Sequence, residues 1–313
     1  MTNVAWNLFW IVVFPGFLFT SLLGLIASWV VRKVSALVQW RVGPPVMQPF
    51  YDVAKLLGKE ILVPEDARKG VFMAAPLVGM AGVLLLSTVL WRTAIVQSAF
   101  LGDVIVVMYL MLVPSLALIL GGSASASPHA AIGTSREMKL VIGYELPLVL
   151  ALVVVILKAG GQLNLAMLAQ QTPVYSISGM VAFLTSVLCV QAKLGFVPFD
   201  IAESETEIAS GVLMEYSGAL LAVWKMMQAM MLVALPLFLV TVFLGGFGTT
   251  GWAVAWGIGK YVLVLVLLIL IKNTNPRVRI DQAMRFFWAY CSGALVIAII
   301  LAAIGSRYGI HWL

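Results

Sequence analysis

Apolar positions along the chain come in unbroken runs of about twenty residues, separated by short polar stretches. A run of that length crosses the ~30 Å hydrocarbon layer of a bilayer as an α-helix. Membrane β-strands would alternate instead. Eight spans are predicted: Asn7–Val31, Val71–Trp91, Leu101–Leu120, Leu140–Leu157, Ile177–Val197, Tyr216–Leu244, Trp252–Ile271 and Phe286–Ile304. Trp6 and Trp10 are expected to anchor the first at the interface, and Arg32 and Lys33 to stop it. After Pro49 the pattern changes. Phe50, Val53, Ala54, Leu57 and Ile61 share one helical face, and Asp52, Lys55 and Lys59 another. That predicts an amphipathic helix lying in the membrane interface. The stretch GGSASASPHAAIGTSREM (121–138) is built of small residues and reads as a flexible linker. No soluble domain interrupts the pattern. The fold class is an all-α polytopic membrane protein, residues 1–313 forming a single integral membrane domain.

Composition agrees. The chain is 62% apolar and 10% charged, where a soluble domain carries about 25% charged residues. Cys189 and Cys291 lie inside predicted spans, and His129 and His311 form no metal-ligand spacing. A metal or iron–sulfur site in this chain is therefore not expected, and any redox chemistry belongs to other subunits. The first apolar run lacks a basic leader and continues to spanning length, so no cleavable signal peptide is expected.

The net charge of +6 reports topology rather than nucleic-acid binding. Fourteen of the nineteen Lys and Arg fall in loops 1–2, 3–4, 5–6 and 7–8. Only Arg92, Lys158 and Arg307 lie on the other side. These counts predict that the four charged loops are cytoplasmic and both termini outside. Nearly all acids share that side, Asp103 excepted, and such a two-signed surface suits protein docking.

The candidate chemistry is concentrated in KLGFVPFDIAESETEIASGVLMEYSG (193–218). It holds Asp200, Glu203, Glu205, Glu207 and Glu215, five of the thirteen acids in the chain. Carboxylates between membrane spans are costly and point to function. Read as a helix, Asp200, Glu203 and Glu207 share a face while Glu205 points elsewhere. Asp200 and Glu203 also resemble a helix-capping pair, a purely structural role. Glu145 lies within span 4, in GYELP, where Pro147 deprives the Gly143 carbonyl of its amide partner. Lys225 lies within span 6. The expectation is an ion pathway through Asp200, Glu203, Glu207, Glu215 and Glu145, with Glu205 and Lys225 beside it.

At these residues the sequence resembles a known family. PFDIAESETEIASGVLMEYSG is similar to the NuoH family, the membrane subunit of respiratory complex I that abuts its peripheral arm. The matching positions are Asp200, Glu203, Glu205, Glu207 and Glu215. GYELP matches the family's intramembrane Tyr-Glu at Tyr144 and Glu145. NPRVRIDQAMRFFW matches a loop motif through Pro276, Arg277, Arg279, Asp281, Gln282 and Met284. RVGPP…QPFYDVAKLLGKE matches the first loop through Arg41, Gly43, Pro44, Gln48, Asp52, Lys55 and Leu56. The resemblance implies docking of a peripheral arm on the charged loops, with Arg41, Asp52, Lys55, Arg136, Glu137, Arg277, Arg279 and Asp281 as the docking residues.

Two departures refine it. The first loop is shorter than complex I members usually have, Gly43-Pro44-Pro45 running almost directly into Met47-Gln48-Pro49, in a segment that helps shape their quinone entrance. IGTSRE (132–137) is similar to the membrane-bound group 4 [NiFe] hydrogenases. The resemblance therefore implies the anchoring subunit of a ferredoxin-linked energy-converting hydrogenase. This chain would carry no cofactor. The Ni–Fe site and [4Fe–4S] clusters would lie in peripheral large, small and iron–sulfur subunits, and antiporter-like membrane subunits would complete the ion-pumping complex. A quinone-reducing complex I and a sulfur-reducing complex of the same architecture are the alternatives within the family. A stand-alone cation/proton transporter and a purely structural anchor are alternatives from other classes.

Overall fold

The computed structural model describes residues 2–97, 104–248, 251–310 and 312–313. The expected start of span 3 at Leu101, Asp103 and His311 lie outside the described residues, as does the side chain of Glu205. The described chain is helical: α1 (Thr2–Val12), α2 (Phe17–Val38), α3 (Gln48–Leu57), α4 (Lys69–Val96), α5 (Val104–Ala124), α6 (Pro128–Lys158), α7 (Leu165–Leu168), α8 (Ile177–Lys193), α9 (Glu205–Ile208), α10 (Gly218–Phe243), α11 (Gly251–Thr274), α12 (Ile280–Arg285) and α13 (Ser292–Tyr308). A π-helical turn, Phe286–Cys291, joins α12 to α13. Seven elements among the described residues are long and apolar enough to cross a membrane, and α8 is an eighth, shorter apolar helix.

The bundle is organised around α10, in which every residue from Ala229 to Phe243 is buried. A helix apolar on all sides belongs in the middle of a bundle. It packs against α2, α3, α4, α8 and α11, while α6, α8 and α13 form a second group in mutual contact. Small residues permit the closest crossings: a Cβ on Gly24 would lie 2.5 Å from the Ala229 carbonyl oxygen. By contrast α11 leaves Trp252, Trp256, Val262 and Leu263 exposed, a surface for lipid or a neighbouring subunit.

Prolines inside the spans leave carbonyls without amide partners, and two tyrosines supply them. Pro76 in α4 cannot donate to Phe72; the Tyr216 hydroxyl donates to the Phe72 carbonyl at 3.0 Å instead. Pro236 in α10 cannot donate to Leu232, and the Tyr261 hydroxyl donates there at 3.1 Å. Tyr216 also stacks on Phe72, with ring centroids 4.1 Å apart. Beside it, Gly218 has φ +57°, and a Cβ there would lie 2.4 Å from the Glu60 carbonyl oxygen. The EYSG motif is thus the point where the segment after α3 docks onto the start of α10.

Several expectations are corrected. The first span is interrupted at Val13–Gly16, where Pro15 lacks an amide, and α2 runs on to Val38. The helix itself continues past Arg32 and Lys33, and Arg32 meets Asp52 of α3 at 2.7 Å. The small-residue stretch is not a linker. Pro128 begins α6 with Ser127 extended before it, a favourable helix start, and only Ser125–Ser127 are left outside the helices. Of the predicted apolar face of α3, Val53 is buried but Leu57 is exposed, and Ile61 lies beyond the helix end. Asp52 instead faces α2.

Candidate functional site

The site begins where α8 stops. Gly195 follows the helix with φ +62°; its amide donates to the Ala192 carbonyl and that of Phe196 to the Gln191 carbonyl. This is the paired closure by which a glycine ends a helix. At 17 residues, α8 is about 25 Å long, shorter than the seven other apolar helices. Lys193, its last residue, has a fully buried side chain. Irregular backbone follows.

Lys193 Nζ lies 2.9 Å from Glu145 Oε2 of α6. Glu145 stands thirteen residues, about 20 Å, from the far end of α6 at Lys158. The same ammonium sits 4.9 Å from the centroid of the Tyr144 ring, and the Tyr144 hydroxyl is 3.1 Å from Ser115 Oγ of α5.

The acidic stretch is not the helix its spacing suggests. Residues 200–204 are irregular and α9 is four residues long. Positive φ at Ala209, Ser210 and Gly211 ends it, and the Ala202 carbonyl is pressed against Gly133 and Gly211. Asp200, Glu203 and Glu207 consequently share no helical face, and partners from other elements override local periodicity. Arg277 holds Asp200 at 2.8 Å and also donates to Ser204 Oγ. The Val278 amide donates to the Pro198 carbonyl. Gln228 Nε2 of α10 reaches both oxygens of Glu203, at 2.9 and 3.3 Å. Arg136 of α6 pairs with Glu207 at 2.5 Å, and its guanidinium holds the Glu207 carboxyl below the usual carboxylate range.

A narrow, partly open cleft of about 30 Å³, room for one or two water molecules, lies between these elements. Its polar lining is Ser115, Glu137, Lys193, Asp200, Glu203 and Gln228. Three carboxylates and one ammonium thus face a common space, with Glu145 held at its inner edge through Lys193. Groups of this kind, taken out of water, can bind, hold and exchange protons as their mutual charges change. Among the described residues no three His, Cys, Asp or Glu side chains converge as metal ligands.

The predicted site residues therefore divide. Asp200 and Glu203 enter the pocket, and Glu145 adjoins it. Glu207 is clamped to Arg136 outside it, and Glu215 is absent from its lining. Lys225 is exposed, with Nζ 3.4 Å from Gln228 Oε1. Of the docking residues, Arg41, Lys55, Arg279 and Asp281 are exposed. Asp52, Arg136 and Arg277 make pairs within the chain, and Glu137 lines the pocket. Sequence reasoning passes over Lys193, Gln228 and Ser115. For Lys193 a signal exists: a lysine two residues before a glycine at the end of an apolar run marks a charged helix terminus.

This chain is similar to the NuoH-type subunit of the NADH-quinone oxidoreductase of Dehalococcoides mccartyi strain CBDB1, 32% identical over 295 residues covering 90% of this chain and 82% of that protein. The corresponding protein of Geobacillus kaustophilus is 32% identical over 289 residues, 87% of this chain and 86% of the relative. Among solved structures, a chain of the membrane-bound sulfane sulfur reductase, an archaeal respiratory membrane complex, superposes with a TM-score of 0.83 at 26% identity, covering 91% of this chain and 96% of that one. Residues 10–303 match the family described as NADH dehydrogenase, and with that match and these relatives the chain belongs to the NuoH family of complex I-like membrane subunits.

Proposed function

We propose that this chain is the anchoring and coupling subunit of an ion-pumping respiratory complex whose peripheral arm is a ferredoxin-linked membrane-bound [NiFe] hydrogenase. The charged loops form the cytoplasmic face, both termini lie outside, and the peripheral hydrogenase large, small and iron–sulfur subunits dock on Arg41, Lys55, Arg279 and Asp281. Those subunits carry the Ni–Fe site and the [4Fe–4S] clusters; this chain holds neither. Its own work is electrostatic. A charge change in the arm alters the balance among Asp200, Glu203 and Glu137, and Lys193 transmits it to Glu145 and on to antiporter-like membrane subunits.

The observation that carries this reading is the pocket in which Glu137, Asp200 and Glu203 share a space with Lys193, itself locked 2.9 Å from Glu145. The short segment before Gln48 supports the hydrogenase branch over a quinone-reducing one. A second reading, a sulfane-sulfur-reducing complex, is favoured by the 0.83 TM-score to a chain of such a complex. The deciding assay is hydrogen evolution by the intact purified complex with a reduced low-potential donor. Evolution supports the hydrogenase. Its absence with all peripheral subunits present, together with polysulfide reduction, shifts the assignment to the second reading. For the coupling role, the paired K193Q/E145Q variant, which leaves no buried charge without its counter-ion, is expected to abolish ion movement into proteoliposomes while electron transfer and assembly persist. Full pumping by that variant would remove Glu145 from the pathway.

A further inference from the structure

Buried positions recur every four residues through the π-helical turn: Ala283, Phe287, Cys291 and Leu295. In an α-helix each such step over-rotates by about 40°, and the four would spiral away from one another. The wider turn at Phe286–Cys291 takes up that drift and keeps them facing the bundle. Its closure is divided. The Ser292 amide donates both to the Ala289 carbonyl, three residues back, and to the Phe287 carbonyl, five residues back. The Ser292 hydroxyl donates to the same Phe287 carbonyl at 3.0 Å. On the outer side Trp288, Ala289 and Tyr290 are exposed. The turn thus stands between a tight and a wide form.

Phe287 is fully buried and touches both halves of the carboxylate site. Its ring centroid lies 4.7 Å from that of Phe199, the neighbour of Asp200, and 6.4 Å from that of Tyr144, the neighbour of Glu145. The segment before the turn, residues 276–285, reaches the same two places. Arg277 binds Asp200, and the Val278 amide donates to the Pro198 carbonyl. Met284 Sδ lies 3.0 Å from where a Cβ on Gly143 would stand. The segment also carries the exposed Arg279 and Asp281. Closing the turn to an α-helix would rotate Phe287 and this segment by one residue's worth, about 100°, relative to α13. Phe287 would then leave Phe199 and Tyr144 together.

We propose that the Phe286–Cys291 turn is a joint, and that Phe287 is the positioning residue through which movement of the 276–285 segment resets Asp200 and Glu145 at once. This route is mechanical and runs beside the charge relay through Lys193. It rests on the coupling role proposed above, and the experiment separates the two.

The test compares variants of the intact complex in proteoliposomes, reading ions moved per electron transferred. Deleting Ala289 removes the wide turn while both flanks keep their faces, because five residues of α-helix complete nearly the rotation of six in a π turn. Expected is an assembled complex with electron transfer retained and that ratio lowered at least fivefold. F287A should lower it as much, and F287M, which refills the space, should restore at least half; a merely structural role would lower the thermal midpoint and leave the ratio alone. Hydrogen exchange on the unmodified complex decides independently of any variant's assembly. The amides of residues 288–292 should exchange at least tenfold faster than those in the middle of α13, and their rate should change when the complex is reduced. Exchange as slow as in α13 and unchanged by reduction would overturn the joint. So would an unchanged ratio in the assembled deletion or F287A variant while K193Q/E145Q has lost ion movement. Full ion movement by K193Q/E145Q would instead remove the charge relay and leave the joint to be judged on its own variants.

Discussion

Lys193–Glu145 and Arg32–Asp52 are ion pairs of nearly the same length, 2.9 and 2.7 Å. Their surroundings differ. The Lys193 side chain is 0% exposed, whereas Arg32 and Asp52 are 46% and 38% exposed. At the charged face, water screens the pair and each ion can be solvated without the other. At the end of α8 the Lys193 ammonium has no solvent and Glu145 is 23% exposed, so the lysine above all depends on its partner. Contact distance alone does not reveal which pair can act as a switch. The full burial of the Lys193 side chain does.

Five substitutions sharpen this contrast. Lys193→Met should have the largest effect, about 3–5 kcal/mol, because it leaves Glu145 charged without its counter-ion. The readout is the thermal midpoint of the assembled complex, and the double substitution K193Q/E145Q should recover much of the loss. If K193M were no worse than a surface change, the buried pair would be unimportant to the fold. Gly218→Ala comes next, at about 1–3 kcal/mol, because a Cβ would strike the Glu60 carbonyl at a residue with φ +57°. Enhanced proteolysis around residues 59–62 would report the undocked segment.

Tyr216→Phe and Tyr261→Phe should each cost about 1–2 kcal/mol by orphaning the Phe72 and Leu232 carbonyls. Restoring the amide with Pro76→Ala or Pro236→Ala should offset the matching loss, and non-additivity in that cycle is the measurement. Asp52→Asn should be smallest, below about 1 kcal/mol. The Arg32 guanidinium holds the Asp52 carboxyl below its usual range. Its folded pKa is thus lower than its unfolded one, so the contribution is whole above the ordinary Asp value and is lost as pH falls through the depressed one. Wild type and D52N should therefore converge in stability at acid pH.

The same contrast explains which features are legible in the sequence. Span positions are readable because burying some twenty apolar residues is a local property of composition. The amphipathic α3 is readable from its period. The acidic stretch reads wrongly as a helix because i, i+3, i+7 spacing is only a local signal, whereas Arg277, Arg136 and Gln228 reach those acids from positions 25 to 77 residues away. The 121–138 stretch reads wrongly as a linker because small residues serve close helix crossings as readily as they serve flexible loops. A Cβ on Gly121 would lie 2.4 Å from the Tyr216 hydroxyl.

Residue order alone establishes a polytopic helical membrane protein, with most of its basic residues in four of its loops and five of its thirteen acids between two spans. Hydrophobic burial and charge asymmetry are additive along a chain and need no partner to be read. Packing of the helices selects which acids share a pocket, makes Lys193 rather than Lys225 the buried cation, and brings Tyr216 and Tyr261 to carbonyls freed by prolines elsewhere. Those are pairings across helices, and their energies depend on distances that residue spacing does not encode.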